Sequence, residues 1–137
     1  MPRKKRNRRI QVPPVIKGMS VYGARGRKSN EVILHIEEYE AIRLLDYQNL
    51  TQEEAAVFMD VSRPTLTRIY EEARNKVATA FVEGRDLLFR GGDIYFDKNW
   101  YKCNACQASF SDYSEKVTNC PVCNSVELIS LSEFYSK

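Results

Sequence analysis

The first thirty residues contain no aspartate or glutamate, yet they hold ten lysines and arginines. No cysteine occurs before Cys103, and the chain has one histidine and one tryptophan. No apolar run approaches the ~20 residues that span a bilayer. The charged start lacks the apolar core of a secretory signal. Together these absences predict a cytoplasmic protein with no membrane partner. There is no Gly-rich phosphate loop, no nucleophile with a nearby base and no pair of carboxylates at catalytic spacing, so the expectation is a binding protein and not an enzyme.

What is present is uneven. Residues 1–30 have a charge of +10, residues 31–92 carry seven basic against twelve acidic groups, and residues 93–137 carry four against six. A basic arm on mildly acidic globular parts suits an electrostatic grip on a polyanion. Residues 2–9 (PRKKRNRR) have almost no apolar content and are expected to stay disordered without a partner. In Val12-Pro13-Pro14-Val15 the prolines fix φ and restrain their neighbours, so the chain should be stiff and extended. Residues 18–30, rich in glycine and basic side chains, read as a loop.

Residues 31–36 (EVILHI) read as a short strand, with 86–90 (DLLFR) before Gly91-Gly92 as its natural partner. A lone histidine in such a strand, His35, is expected to be a packed or surface residue and not a ligand. Between the strands the periodicity is helical. Residues 37–49 present Ala41, Ile42, Leu44 and Leu45 on one face. Thr51 and Glu54 form a capping box that opens the next helix. After a turn at Asp60-Val61, Ser62 is the next N-cap and Pro64 sits in the first turn. The third helix should run over 63–83, with Leu66, Ile69, Ala73, Val77, Ala80 and Phe81 as its stripe and Gly84 ending it. Glu72 and Lys76 are spaced for an ion pair on its exposed side.

Residues 52–71 fit a helix-turn-helix. Ala56 is small where the two helices must cross, and Ala55, Met59, Val61, Leu66 and Ile69 fill the inner faces. The first turn position usually has φ > 0, and Asp60 visits that region at modest cost. In this motif the start of the second helix enters the major groove of double-stranded DNA. Arg63 and Arg68 are placed to donate to guanine, and Thr65 and Thr67 to meet a thymine methyl or a phosphate. With Leu66 and Ile69 inward, Thr67, Arg68, Glu71 and Asn75 face outward. Gln52 lies at a helix start, where free N–H groups attract phosphate, and Ser62 opens the second helix. Arg3, Lys4, Lys5, Arg6, Arg8 and Arg9 form an arm able to follow the backbone or enter the minor groove.

Cys103 and Cys106, then thirteen residues, then Cys120 and Cys123 give two CxxC knuckles. That separation is the spacing of a tetrahedral Cys₄ zinc site, although the same ligands also suit iron. A closed Cys₄ site has no open position for water, so its expected role is structural. A unit with so few apolar residues should need the metal to fold.

The chain resembles the UPF0251, or DUF134, family of predicted DNA-binding proteins. The resemblance lies in the basic start PRKKRNRR, in EEYEAIRLLD at 37–46, in LTQEEAAVFMDVSRPTLTRIYEEARNKVATAFVEG at 50–84, and in Gly91-Gly92. The family's helix-turn-helix is similar to that of region 4 in bacterial sigma factors. The resemblance implies a prokaryotic DNA-binding domain with Ser62, Arg63, Thr65 and Arg68 on the recognition helix, and implies no enzymatic activity. The family more often has glycine where this chain has Asp60, and some members continue into a nitrogenase-cofactor-like domain where this chain has its cysteines.

The expected architecture is therefore a basic arm and loop (1–30), a mainly α helix-turn-helix domain of three helices flanked by two short strands (31–92), and a small β zinc ribbon (93–137). The expected function is sequence-specific binding of double-stranded DNA by a transcriptional regulator. Two competing expectations are a protein-interaction adaptor, for example on RNA polymerase, and a redox or metal sensor acting through the cysteines. A helix-turn-helix of this size usually works as a homodimer. The outer half of the third helix, with Leu88 and Phe89, is where the sequence leaves an interface open.

Overall fold

The computed structural model describes residues 7–23, 30–96, 99–112 and 117–135. Strand β1 (Arg8–Ile10) is followed by β2 (Gly18–Met19), β3 (Val32–Leu34) and helix α1 (Ile36–Ile42). A π-helical turn (Arg43–Tyr47) extends α1, and α2 (Gln52–Phe58) and α3 (Arg63–Glu83) come next. The chain then forms β4 (Leu87–Phe89), β5 (Ile94–Phe96), β6 (Asn99–Cys103), β7 (Ser109–Asp112), β8 (Leu128–Ser130) and a short helix α4 (Leu131–Phe134). No helix among the described residues is long and apolar enough to cross a membrane.

The helix boundaries follow from local chemistry. Thr51 Oγ1 accepts from Glu54 N (3.2 Å), while the Glu54 carboxylate accepts from Thr51 N (3.2 Å), closing the capping box. Ser62 Oγ accepts from Thr65 N, Pro64 occupies the first turn, and Gly84 ends α3 in the left-handed conformation at φ 64°. Helix α1 departs from the expected span. It stops at Ile42, where the ladder slips to a wider turn in which Gln48 N donates to Arg43 O (2.9 Å), and Asn49 at φ 58° turns the chain away.

Two buried clusters share α1 and α3. Ala41 and Leu44 pack with Ala55, Ala56, Met59, Leu66 and Ile69 in the first. The second joins Ile10, Leu34, Ile36, Ala73 and Phe89 to Leu131 and Tyr135. It thus draws on all three segments into which charge and composition divide the sequence. The expected pairing of the two central strands is present: β3 runs parallel to β4, with Ile33 opposite Leu88.

Several expectations are corrected. Residues 18–30 are not all loop, because β2 adds to β4 in antiparallel register. Glycine is required there, since a Cβ at Gly18 would lie 2.4 Å from Leu87 O. The basic segment is not wholly irregular either: β1 runs parallel to β5, with Arg8 opposite Ile94. Phe81 leaves the buried stripe and is 85% exposed, whereas Phe89, expected as open surface, is core. Lys76 pairs with Glu38 at 2.6 Å and not with Glu72, because α1 lies against that side of α3 and offers a carboxylate where little water competes. His35 sits at the surface end of α1 and its backbone N–H donates to Glu38 (2.8 Å).

Candidate nucleic-acid interface and metal centre

Helices α2 and α3 are joined by residues 59–62, with Asp60 at φ 57°. Ala56 is nearly inaccessible and Ala55, Met59 and Leu66 are fully buried, so the crossing of the two helices is closed by small and apolar groups. Val61 N donates to Ala56 O (3.0 Å), which holds the turn tight.

The predicted reading residues gather at the start of α3. Ser62 and Arg63 are exposed and Thr65 is half-buried; the Ser62 hydroxyl donates to Thr65 Oγ1 (2.9 Å). Arg63 reaches Glu53 of α2 at 2.7 Å, but both side chains are about 60% exposed. Such a surface pair contributes about 0–1 kcal/mol and is readily exchanged for another anion. Arg68 is exposed and has no hydrogen-bond or ion-pair partner among the described residues. Glu71 and Asn75 face outward, as expected. Thr67 does not. Its hydroxyl lies between Arg63 O (3.0 Å) and Gln52 Oε1 (2.8 Å), so Thr67 and Gln52 are joined to each other across the two helices.

The arm is partly built into the fold. Arg3, Lys4, Lys5 and Arg6 lie outside the described residues. Arg8 is buried, with its guanidinium beside Glu37 (3.2 Å) and Asp93 (3.4 Å). Arg9 donates through Nε to Phe58 O (2.7 Å) and through Nη2 to Val57 O (2.8 Å), and its backbone N–H donates to Met59 O (2.9 Å). The side-chain bonds go to the last two carbonyls of α2 and the backbone bond to the residue that follows it, positions that a helix leaves without intrahelical donors. Arg9 is thereby fixed beside the turn that precedes α3. Tyr95 of β5 adds a bond to Asp60 in the same turn (3.3 Å). None of these contacts could be read from local sequence, because each joins positions far apart in the chain.

Strand β6 carries Cys103 to the start of the first knuckle, and the second knuckle lies between β7 and β8. The two loops repeat one another. Gln107 N donates to Cys103 O and Asn124 N to Cys120 O, each at 2.9 Å. Cys103 N donates to Ala108 O (2.9 Å) and Cys120 N to Ser125 O (2.8 Å). The residue after each second cysteine is left-handed, Gln107 at φ 67° and Asn124 at φ 64°. Asparagine visits that region readily, whereas glutamine gives no such signal in sequence.

All four sulfurs lie within 4.8 Å of one another, with Cys103–Cys123 at 3.5 Å and Cys106–Cys120 at 3.6 Å. Four thiolates around a tetrahedral ion with ~2.3 Å bonds sit roughly 3.8 Å apart, so the residues fit a metal ion. Backbone N–H groups of Cys123 and Val122 draw the Cys120 thiol down to about 6. At Cys123 the Ser125 N–H acts in the same direction, but desolvation and the neighbouring thiols outweigh it and push the group up to about 12. Cys106 is raised as well: desolvation and thiol neighbours overcome the Ala108 N–H. Four sulfurs this close resist becoming anions together, and a bound cation removes that conflict.

The model of the family described as "Protein of unknown function DUF134" matches residues 1–97. A UPF0251 protein of Chloroherpeton thalassium is 36% identical over 137 residues, covering 99% of this chain and 91% of its own. One of Caldicellulosiruptor saccharolyticus is 46% identical over 129 residues, covering 93% of this chain and 88% of its own. A third, of Methanothermobacter thermautotrophicus, is 39% identical over 125 residues, 91% of this chain and 65% of the relative. No solved structure matches. The basic start, the helical segment and the Gly-Gly close lie inside the matched region, and on these matches the chain belongs to the DUF134 (UPF0251) family.

Proposed function

We propose that this protein binds double-stranded DNA sequence-specifically and regulates transcription, with α2 and α3 acting as a helix-turn-helix. One observation carries the proposal. Arg63 and Arg68 stand exposed on the first turns of α3, and Arg9 ties the basic arm to the end of α2 beside them. The arm supplies charge that any duplex attracts, and the start of α3 supplies donors that distinguish bases. Ser62 and Thr65 cap the helix and flank that surface. Glu71 and Glu72, exposed further along, would repel phosphate, so only the first two turns enter the groove.

In this reading the four cysteines hold zinc as a structural ion in a cytoplasmic protein, and the chain binds without catalysing a reaction. Metal analysis distinguishes zinc from iron directly, since an iron–thiolate site is coloured.

Selection from a random duplex library with zinc-loaded protein tests the proposal. An enriched motif that is lost or relaxed in Arg68→Ala supports it, at a cost of about 1–3 kcal/mol for a bidentate base contact. Deletion of residues 2–6 should flatten the salt dependence and leave the motif intact. Retention of duplex without any motif would favour a protein-interaction adaptor instead.

A further inference from the structure

The end of α2 and the turn after it draw little support from their own sequence. The last turn of α2 has no basic residue to meet the carbonyls and the negative dipole end exposed there. Met59 caps the helix, and Asp60 follows at φ 57°, left-handed backbone that a residue with a side chain adopts only at a cost. Support arrives instead from one pair of residues on two strands outside the motif. Arg9 of β1 and Tyr95 of β5 stand opposite each other in the parallel register. Arg9 spans Phe58 O and Val57 O with Nε and Nη2, at 2.7 and 2.8 Å, and its backbone N–H donates to Met59 O at 2.9 Å. The Tyr95 hydroxyl reaches Asp60 Oδ2 at 3.3 Å. Together the pair holds every residue from Val57 to Asp60.

We infer that Arg9 is a positioning residue for base reading. With Tyr95 it clamps the turn and so sets how α3 leaves α2, and its guanidinium serves the protein's own carbonyls instead of a phosphate. The planar guanidinium suits this role, because two N–H groups in a rigid fork fix the carbonyls they bind relative to each other. Lysine, with one flexible ammonium, carries the charge but not the fork. At the other end of α2, the Thr67 hydroxyl meets Gln52 Oε1 (2.8 Å) and ties the two helices directly. Arg9 and Tyr95 supply the second tie, at the turn itself. Arg63 is the first residue of α3 after that turn, and Arg68 follows on the same helix. A bidentate base contact requires its donors to be placed within about 0.5 Å. Freedom in the turn would therefore blur the choice of base before it weakened the general grip on DNA.

The role rests on the DNA-binding reading and differs from two simpler ones in what it changes. An arginine that neutralises a phosphate contributes about 0.9 to the slope of log affinity against log salt. A clamp contributes nothing to that slope. A residue that only stabilises the fold alters the folded fraction, which lowers the affinity for every duplex by one factor and leaves their ratio unchanged. A clamp on the reading helix alters the ratio.

Hydrogen exchange of the zinc-loaded full chain without DNA tests the clamp itself. The Val61 amide, which donates to Ala56 O (3.0 Å), should exchange roughly tenfold faster in Arg9→Ala. The Ala55 amide, bonded to Thr51 O (2.9 Å) within α2, should not change. Binding is then measured for two duplexes, the one enriched from the random library and a scrambled one of the same length. Their affinity ratio should fall roughly tenfold in Arg9→Ala with the salt slope unchanged, and Arg9→Lys should not restore the ratio. Tyr95→Phe removes one hydroxyl and should shift exchange and ratio in the same direction by less; it carries the test if Arg9→Ala does not fold. Unchanged exchange at Val61, an unchanged ratio, or a slope lowered by about 0.9 and restored by lysine would overturn the inference. A wild type that enriches no motif would refute the DNA-binding reading and with it the reading role, whereas the exchange result would still decide whether the clamp exists.

Discussion

Glu37 shows how a single side chain can run against the usual acid behaviour of a protein. It lies in α1 with its side chain 8% exposed. Arg8 faces it at 3.2 Å, yet the two are out of hydrogen-bond alignment. Burial therefore dominates, and it raises the carboxyl above 4.5 despite the opposing pull of Arg8 and of the Asp93 N–H. Between 4.5 and that raised value the folded state holds more protons at this position than the unfolded chain. Its contribution is complete below 4.5 and is lost as pH rises through the folded value. Urea midpoints measured from about pH 4 to pH 7 should reveal this declining segment, and Glu37→Gln should flatten it. Identical slopes in the two proteins would mean that Arg8 fully compensates the buried charge.

At the scale of elements, the paired knuckles have the most specific consequence. A side chain in left-handed backbone costs roughly 1–2 kcal/mol relative to glycine. Gln107→Gly should relieve about 1 kcal/mol and tighten metal binding about fivefold in a chelator competition. No gain would show that the Gln107 side chain, which donates to Asn104 O (3.2 Å), offsets its own strain. Much at this scale was legible in sequence. Thr51 with Glu54, Ser62 with Pro64, and Gly84 mark helix ends by chemistry confined to a few neighbouring residues. The spacing of the cysteines likewise carries the cluster in a short stretch. Other elements were hidden because their cause is remote. Strand β1 exists through β5, and Phe81 and Lys76 are placed by where α1 packs, so no local period announces them. Thr67 was expected outward for the same reason: the wheel of one helix does not include the Gln52 of another.

For the whole molecule, helix α4 connects the cysteine centre to the helical core. Cys103 pairs with Leu128 across β6 and β8, and Asn104 N donates to Glu127 O (2.8 Å). From β8 the chain enters α4, where Leu131 is fully buried beside Ile10 and Ile36. Lys17 and Lys102 lie over the Phe134 ring at 4.7 and 4.6 Å. The Tyr135 hydroxyl donates to Pro14 O (2.5 Å). If the four cysteines hold a metal ion as proposed, its removal should loosen β8 and carry α4 with it. In hydrogen exchange, the Gly91 amide, which donates to Tyr135 O (2.9 Å), should lose protection on chelation while α2 and the first half of α3 keep theirs. Unchanged protection of Gly91 would show that α4 holds its place without the metal.

The bond from Tyr135 to Pro14 spans 121 positions, which also sets a schedule for synthesis. Helices α1 to α3 involve neighbours in the chain and can form as they leave the ribosome. The surface made by Ile10, Leu34, Ile36 and Phe89 must wait for Leu131 and Tyr135 to emerge before it can close. Contacts this distant are slow to form because loop closure precedes any reward. For that interval the nascent chain presents an uncovered apolar face, which closes only once α4 has been made.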